Sequence, residues 1–283
     1  MNSDTKKRII KWFWIIVTAP FAVLLFMLLL VWIFARIPSF EDLENPDNKL
    51  ATQVIADDEV TTLTTFHIEN RTYVSYEDLS EHLVHAAVAT EDARFYKHSG
   101  IDMIGLARVF FKTILMRDSS QGGGSTITQQ LAKTLYPRRD LNSKIPGWNK
   151  VCTVWIKLKE WITAVKLERD YTKDEIMNMY LNSVFFGSHA YGIKSASETF
   201  FDKEPKDLTI EESATLIGMA NKPTKYNPVL NPEKSLARRN FVLSQMTKAG
   251  FITKPERDSL QAIPINVSSY QIRDHNSGLA PCF

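Results

Sequence analysis

A chain of 283 residues, 44% hydrophobic and 23% charged, has room for one large domain plus appendages, and it carries no repeats or low-complexity segments. A net charge of +2 gives no reason to expect a nucleic-acid partner. The two cysteines, Cys152 and Cys282, lie far apart and outside any metal-type spacing, which excludes a disulfide framework and a zinc site.

The N-terminal residues 1–11 are short and basic, with Lys6, Lys7, Arg8 and Lys11. Residues 12–35 hold no charge, and 24 residues in helix span about 36 Å, enough to cross a bilayer with some tilt. Trp12, Trp14 and Trp32 sit near the ends of this run, where interfacial aromatics belong. The run is too long for a cleaved signal peptide, and no small-x-small site closes it. Basic residues precede it, and Glu41, Asp42, Glu44 and Asp47 follow Arg36. The charge asymmetry predicts a cytoplasmic N-terminus, one membrane crossing, and the remainder of the chain outside.

Residues 36–75 read as a stem plus a small hairpin, since 51–55 and 61–68 are rich in β-branched residues and flank Asp57, Asp58 and Glu59. From Asp78 onward the periodicity is helical almost throughout. Residues 78–90 form the first such segment, with Ser80 as N-cap and Leu83, Ala87 and Glu91 at intervals of four. Residues 103–116 mix apolar and basic side chains, as in a core helix or one that dips into lipid headgroups. Residues 136–150 read as a basic loop. A strong helix follows over 151–169, with Trp155, Leu158, Ile162 and Val165 as its core stripe. Thr172 with Glu175, and Thr209 with Glu212, have the capping-box pattern. Residues 222–232 are a proline-rich loop, and a last amphipathic helix over 232–248 ends near Gly250.

One stretch organises the rest. Glu91-Asp92-x-x-Phe95-x-x-His98-x-Gly100 resembles the first signature of the peptidoglycan glycosyltransferases, glycosyltransferase family 51. Residues 123–130 resemble the second signature, 157–160 the third and 173–182 the fourth. The order and spacing match the N-terminal half of class A penicillin-binding proteins and their monofunctional relatives. Two positions depart from the pattern. Ile156 stands where the family has arginine, and Asn178 where it often has glutamate. Arg138, Arg139 and Lys150 are the candidates to supply the missing charge.

The resemblance implies a mainly α, lysozyme-like glycosyltransferase domain over 76–264, with a larger globular lobe and a smaller membrane-proximal jaw. The transmembrane helix precedes it and residues 265–283 form a tail. It implies a single-pass protein of the bacterial inner membrane that polymerises lipid II, with inversion at the anomeric carbon and release of polyprenyl pyrophosphate. The alternatives are a lysozyme-like cell-wall hydrolase and a non-catalytic scaffold that binds lipid II. Glu91 and Glu160 are the implied catalytic acids. Asp92, His98, Ser125, Thr126, Gln129, Lys133, Lys157 and Lys159 are the implied substrate contacts. Read from the residues alone, His98 is better explained as a packing histidine and Phe95 as an anchor beneath the loop. The resemblance fixes no required cofactor. A divalent cation, Mg²⁺ or Mn²⁺, at the pyrophosphate is the one the family allows. The expected partners are lipid II, the growing glycan strand and the membrane, with room for cell-wall assembly proteins. No Ser-x-x-Lys occurs after the N-terminal tail and no Lys-Thr-Gly anywhere, so penicillin binding is not expected, whereas moenomycin, a mimic of the donor lipid, is expected to bind.

Overall fold

A computed structural model of the chain describes residues 3–34, 52–55, 62–66, 70–71, 73–110, 124–135 and 148–271. The polar stem at 38–48, residues 111–116, Gly122 and Gly123, Arg138, Arg139 and Cys282 lie outside the described residues. The fold is mainly helical.

Helix α1 (Ser3–Phe34) comes first. Its side chains from Ile9 to Val17, and Phe21, Leu25, Phe26 and Leu29 further on, include many exposed hydrophobics. Among the described residues no helix is long and apolar enough to cross a membrane, although several side chains in the apolar half of α1 lie outside that description. Strands β1 (Thr52–Ile55) and β2 (Thr62–Phe66) pair antiparallel as the expected hairpin, with Thr52 opposite Phe66. A second sheet runs β3 (Asn70–Arg71), β5 (Ala190–Tyr191), β4 (Phe185–Gly187) in spatial order, the first pair parallel and the second antiparallel. Strands of two and three residues carry no periodic signal, and none was anticipated after Asp78.

Helix α2 (Glu81–Glu91) begins where Ser80 Oγ accepts the His82 N–H at 3.3 Å. The same hydroxyl donates to Leu208 O at 3.1 Å and so ties the helix start to a distant segment. Residues 76–78 form a separate 3₁₀ turn rather than the first turn of α2. Leu83, Ala86 and Ala87 are fully buried. Their small mean size lets α8 (Ile210–Ala220) and α9 (Pro232–Ala249) pack closely on α2. Burying a side chain such as Leu83 contributes about 1.5–3 kcal/mol. Gly218 marks the α8–α9 crossing, since a Cβ there would lie 3.2 Å from Arg238 Cγ.

The second half of the core is α4 (Ile127–Leu135) packed between α5 (Trp148–Asp170) and α6 (Lys173–Ser183). Helix α5 starts at Trp148, so the expected basic loop is shorter than 136–150. Its buried face is also rotated from the expected stripe. Leu158, Ala164 and Leu167 are buried, Trp155 and Ile162 are half-buried, and Val165 is 46% exposed. The buried face includes Ala164, whose backbone lies close to Gly100.

Helix α3 (Met103–Phe110) leaves Met103 and Ile104 exposed, while Leu106 and Val109 sit against Gly124. Helix α7 (Ile193–Phe201) packs on β5. Both expected capping boxes form, at Thr172–Glu175 and Thr209–Glu212. Gly250 ends α9 with φ +84°. A further helix, α10 (Lys254–Ala262), follows, opened by a third capping box at Thr253 and Glu256. Among the described residues the expected last helix at 232–248 is therefore followed by one more.

Candidate active site

Glu91 is the last residue of α2. The Asp92 N–H still closes onto Val88 O at 3.2 Å, but Asp92 itself has left helical dihedrals. The chain then turns through residues 93–100 and reverses at Gly100, φ +86°. Phe95 is fully buried beneath this loop, with Lys173 Nζ 4.4 Å from its ring centroid. The glycine is required twice over. Its dihedral suits only a residue without Cβ, and a Cβ there would lie 2.9 Å from both C and O of Ala164 on α5.

Most of the first signature faces inward. The Asp92 and His98 side chains are 4% and 5% exposed. His98 Nε2 lies 2.9 Å from Asp92 Oδ2, and the Ile127 N–H donates to the same oxygen at 3.2 Å. A carboxylate at the first residue of α4 satisfies an orphan N–H and favours the helix dipole. The resemblance implied both residues as substrate contacts, whereas the residues alone read His98 as a packing histidine. In the structure the pair fastens the loop to the start of α4.

Thr126 and Gln129 are likewise 2% and 1% exposed. Thr126 Oγ1 and Gln129 Nε2 both donate to Gly100 O, at 2.7 and 3.2 Å. These two, also expected to touch substrate, brace the loop reversal. Arg94 is held by Asp102 through two N–H bonds, one of 3.1 Å from Nε. Burial alone would raise the Asp102 carboxyl, but the Arg94 hydrogen bonds, the Gly105 N–H and the Arg94 charge together hold it below its ordinary value.

The neighbouring glutamine is different. Gln130 is one residue on from Gln129, hence about 100° round the helix, and its Nε2 donates to Glu91 Oε2 at 3.0 Å. Its Oε1 accepts from Tyr180 Oη at 3.4 Å. Burial, and next the charge of Glu91, push the Tyr180 phenol well above its usual range, so it stays a donor. Glu91 Oε1 is buried without a hydrogen-bond partner, and the Arg238 guanidinium lies 4.0 Å from it. The Glu91 side chain is 9% exposed. Gln130, Tyr180 and Arg238 were not singled out from the sequence. The first sits inside the second signature, where helix geometry, not motif position, decides which glutamine faces the acid.

A second polar cluster lies just before the start of α4. Lys157 Nζ donates to Ser125 Oγ at 2.9 Å and to Glu160 Oε2 at 2.8 Å. Glu160 is 6% exposed and Lys157 34%. Lys159 is half-buried, and Lys133 is exposed with no ion-pair partner among the described residues. Ser125 lies two residues before the start of α4, and Gln130 lies on it. Helix α4 thus carries the contact to Glu91, and the segment just before it carries the contact to Lys157. Ile156 is half-buried, and the Lys150 side chain is among those not described. Asn178 is buried and donates to Tyr73 Oη at 2.6 Å, so the amide at this departure from the family pattern joins α6 to the segment before α2.

Among the described residues no three His, Cys, Asp or Glu side chains are grouped to hold a metal ion. Cys152 is a free, half-buried thiol.

The transglycosylase family model matches residues 58–247. Penicillin-binding protein 1F of Bacillus subtilis is 39% identical over 211 residues, covering 75% of this chain and 28% of its own. Penicillin-binding protein 1A of Aquifex aeolicus is 38% identical over 214 residues, with the same shares. Penicillin-binding protein 1A of Pseudomonas aeruginosa is 33% identical over 263 residues, 92% of this chain and 30% of its own. A crystal structure of penicillin-binding protein 1A from Haemophilus influenzae superposes with a TM-score of 0.44 at 22% identity, over 80% of this chain and 22% of that one. The chain spans less than a third of the length of these curated relatives. The matched segment contains all four signatures and both polar clusters, and the chain belongs to the transglycosylase family, the family of peptidoglycan glycosyltransferase domains.

Proposed function

We propose that the chain polymerises lipid II into glycan strands on the outer side of the bacterial inner membrane, anchored through α1. The observation that carries this reading is Glu91. It is a buried carboxylate at a helix end, held by one oxygen and unbonded at the other, in the family's matched segment. The reaction needs a base for the acceptor's 4-hydroxyl. As the oxygen attacks the anomeric carbon, its proton passes to Glu91. The C–O bond to phosphate breaks on the opposite face, inverting α to β. Polyprenyl pyrophosphate leaves as a stable anion and calls for cations rather than an acid. Lys157, Lys159 and Lys133 are the cations assigned to it, and Glu160 orients Lys157. Asp92, His98, Thr126 and Gln129 hold the architecture that places these groups. The lysozyme-like division into a larger lobe and a membrane-side jaw belongs to the same reading, as does the domain span 76–264. The exposed Met103 and Ile104 on α3 suit a jaw that meets lipid.

The donor side has its own test. Lys157→Ala is expected to lower turnover by about 10–10³-fold, the range for removing one electrostatic contact to developing charge. It should also weaken moenomycin binding, as should Lys133→Ala. Wild-type moenomycin affinity and turnover in both variants would leave Lys157 an ion-pair partner of Glu160 alone and Lys133 a solvated surface charge.

Anchoring is supported by the uncharged 12–35 run and the exposed apolar side chains of α1. A reporter that works only outside the cytoplasm, fused after Phe283, should be active. Activity of a strictly cytoplasmic reporter at the same site would place the domain on the wrong side for this substrate.

A further inference from the structure

Arg238 reaches Glu91 from α9, far along the chain and outside the four signatures. Its position is built. Nε donates to Gly218 O at 3.3 Å, and its guanidinium carbon lies 4.8 Å from the Phe241 ring centroid and 5.5 Å from that of Tyr226. The missing side chain at Gly218 gives its stem room. The Arg238 side chain is 18% exposed, so its charge acts through little solvent.

The distance to Glu91 is informative. At 4.0 Å the guanidinium attracts the carboxylate without donating a hydrogen bond to Oε1. A bond at 3 Å would occupy the lone pair that must take the proton. Among the described residues the other groups in contact with this carboxylate bring no charge. Gln130 from α4 is neutral, and the Tyr180 hydroxyl from α6 stays protonated. The acids of α8, Glu211 and Glu212, lie at its N-terminal end, and Lys222 beyond its C-terminus is exposed. On the loop after Glu91, Arg94 is bound to Asp102, Lys97 is exposed, and Asp92 is bonded to His98.

We infer that Arg238 is a positioning residue whose charge faces the Glu91 carboxylate and leaves its Oε1 open to the acceptor hydroxyl. This rests on Glu91 being the base. The test is the pH–rate profile of lipid II polymerisation by the full chain in detergent, for wild type, Arg238→Gln, Arg238→Lys and Glu91→Gln. Loss of a cation near a carboxylate raises the pH at which it ionises. Arg238→Gln should therefore move the acid limb up by about 1 pH unit or more, with the rate recovering at high pH and KM little changed. Arg238→Lys should return most of the shift. An unmoved limb in Arg238→Gln, or a loss equal at every pH in a protein with a wild-type melting profile, would overturn the inference. If Arg238→Gln does not fold, Arg238→Lys decides alone: activity near wild type supports a role of charge, and a folded but inactive enzyme refutes it. Full activity of Glu91→Gln would sink the base reading itself, which no Arg238 variant can do.

Discussion

Glu91→Gln is expected to lower glycan polymerisation by at least ~10²-fold, the low end of what a positioned general base contributes. The substitution keeps the size of the side chain. Its amide oxygen can still accept from Gln130 Nε2, which now bonds Oε2 at 3.0 Å. What it loses is the ability to take a proton at Oε1, the oxygen with no hydrogen-bond partner. The fold should persist, because an uncharged group in a site that is 9% exposed is no harder to bury than a carboxylate. Moenomycin affinity should also persist, since the donor side rests on Lys157 and Glu160 rather than on Glu91. Polymerisation within a few-fold of wild type would show that another residue takes the proton. Failure to fold would make Glu91 a structural acid.

Gly100→Ala is expected to be the most destabilising single substitution in the signature loop. A non-glycine residue at φ +86° costs about 1–2 kcal/mol in the left-handed region. The new Cβ would also meet the Ala164 backbone at 2.9 Å, and overpacking of this kind adds about 1–3 kcal/mol. Backbone cannot move aside as a flexible side chain can, so the loop must shift. That shift would pull Gly100 O from Thr126 Oγ1 and Gln129 Nε2 together. A loss of about 2–5 kcal/mol in urea unfolding follows from these two terms. Gly250→Ala is the control. It has nearly the same dihedral, φ +84°, but nothing within 4 Å of its Cβ, so only the conformational part should appear. Equal losses in the two variants would mean that the contact with α5 does not matter.

Local chemistry was legible in the sequence where a few neighbouring residues decide the outcome. Ser80 caps α2, and Thr172 and Thr209 form their capping boxes, because each needs only a side chain and an N–H two or three residues away. Thr253 with Glu256 offered the same pattern, and α10 was there to be read. The hairpin at β1 and β2 was visible in its β-branched runs. Faces and long-range partners were not legible in this way. Gln129 and Gln130 are chemically identical, and only the docking of α4 against the Gly100 loop turns one inward and the other to Glu91. The α5 stripe failed for a related reason. Side-chain size favoured Trp155 and Val165, but the face that packs buries Leu158, Ala164 and Leu167. Arg238 depends on α2, α8 and α9 coming together, which no local pattern records. The motif residues Asp92, His98 and Thr126 show a further limit. A signature marks positions that matter without saying whether they touch substrate or hold the loop that does.

Incubation of the full chain with labelled lipid II in detergent, followed by sizing of the product, bears most directly on the proposed activity. The expected product is a ladder of glycan strands that lysozyme cuts back to disaccharide units, with one polyprenyl pyrophosphate released for each bond formed. No polymer from a folded protein that still binds lipid II would contradict it and point to a binding scaffold. Shortening of preformed strands, with none made, would point to a hydrolase.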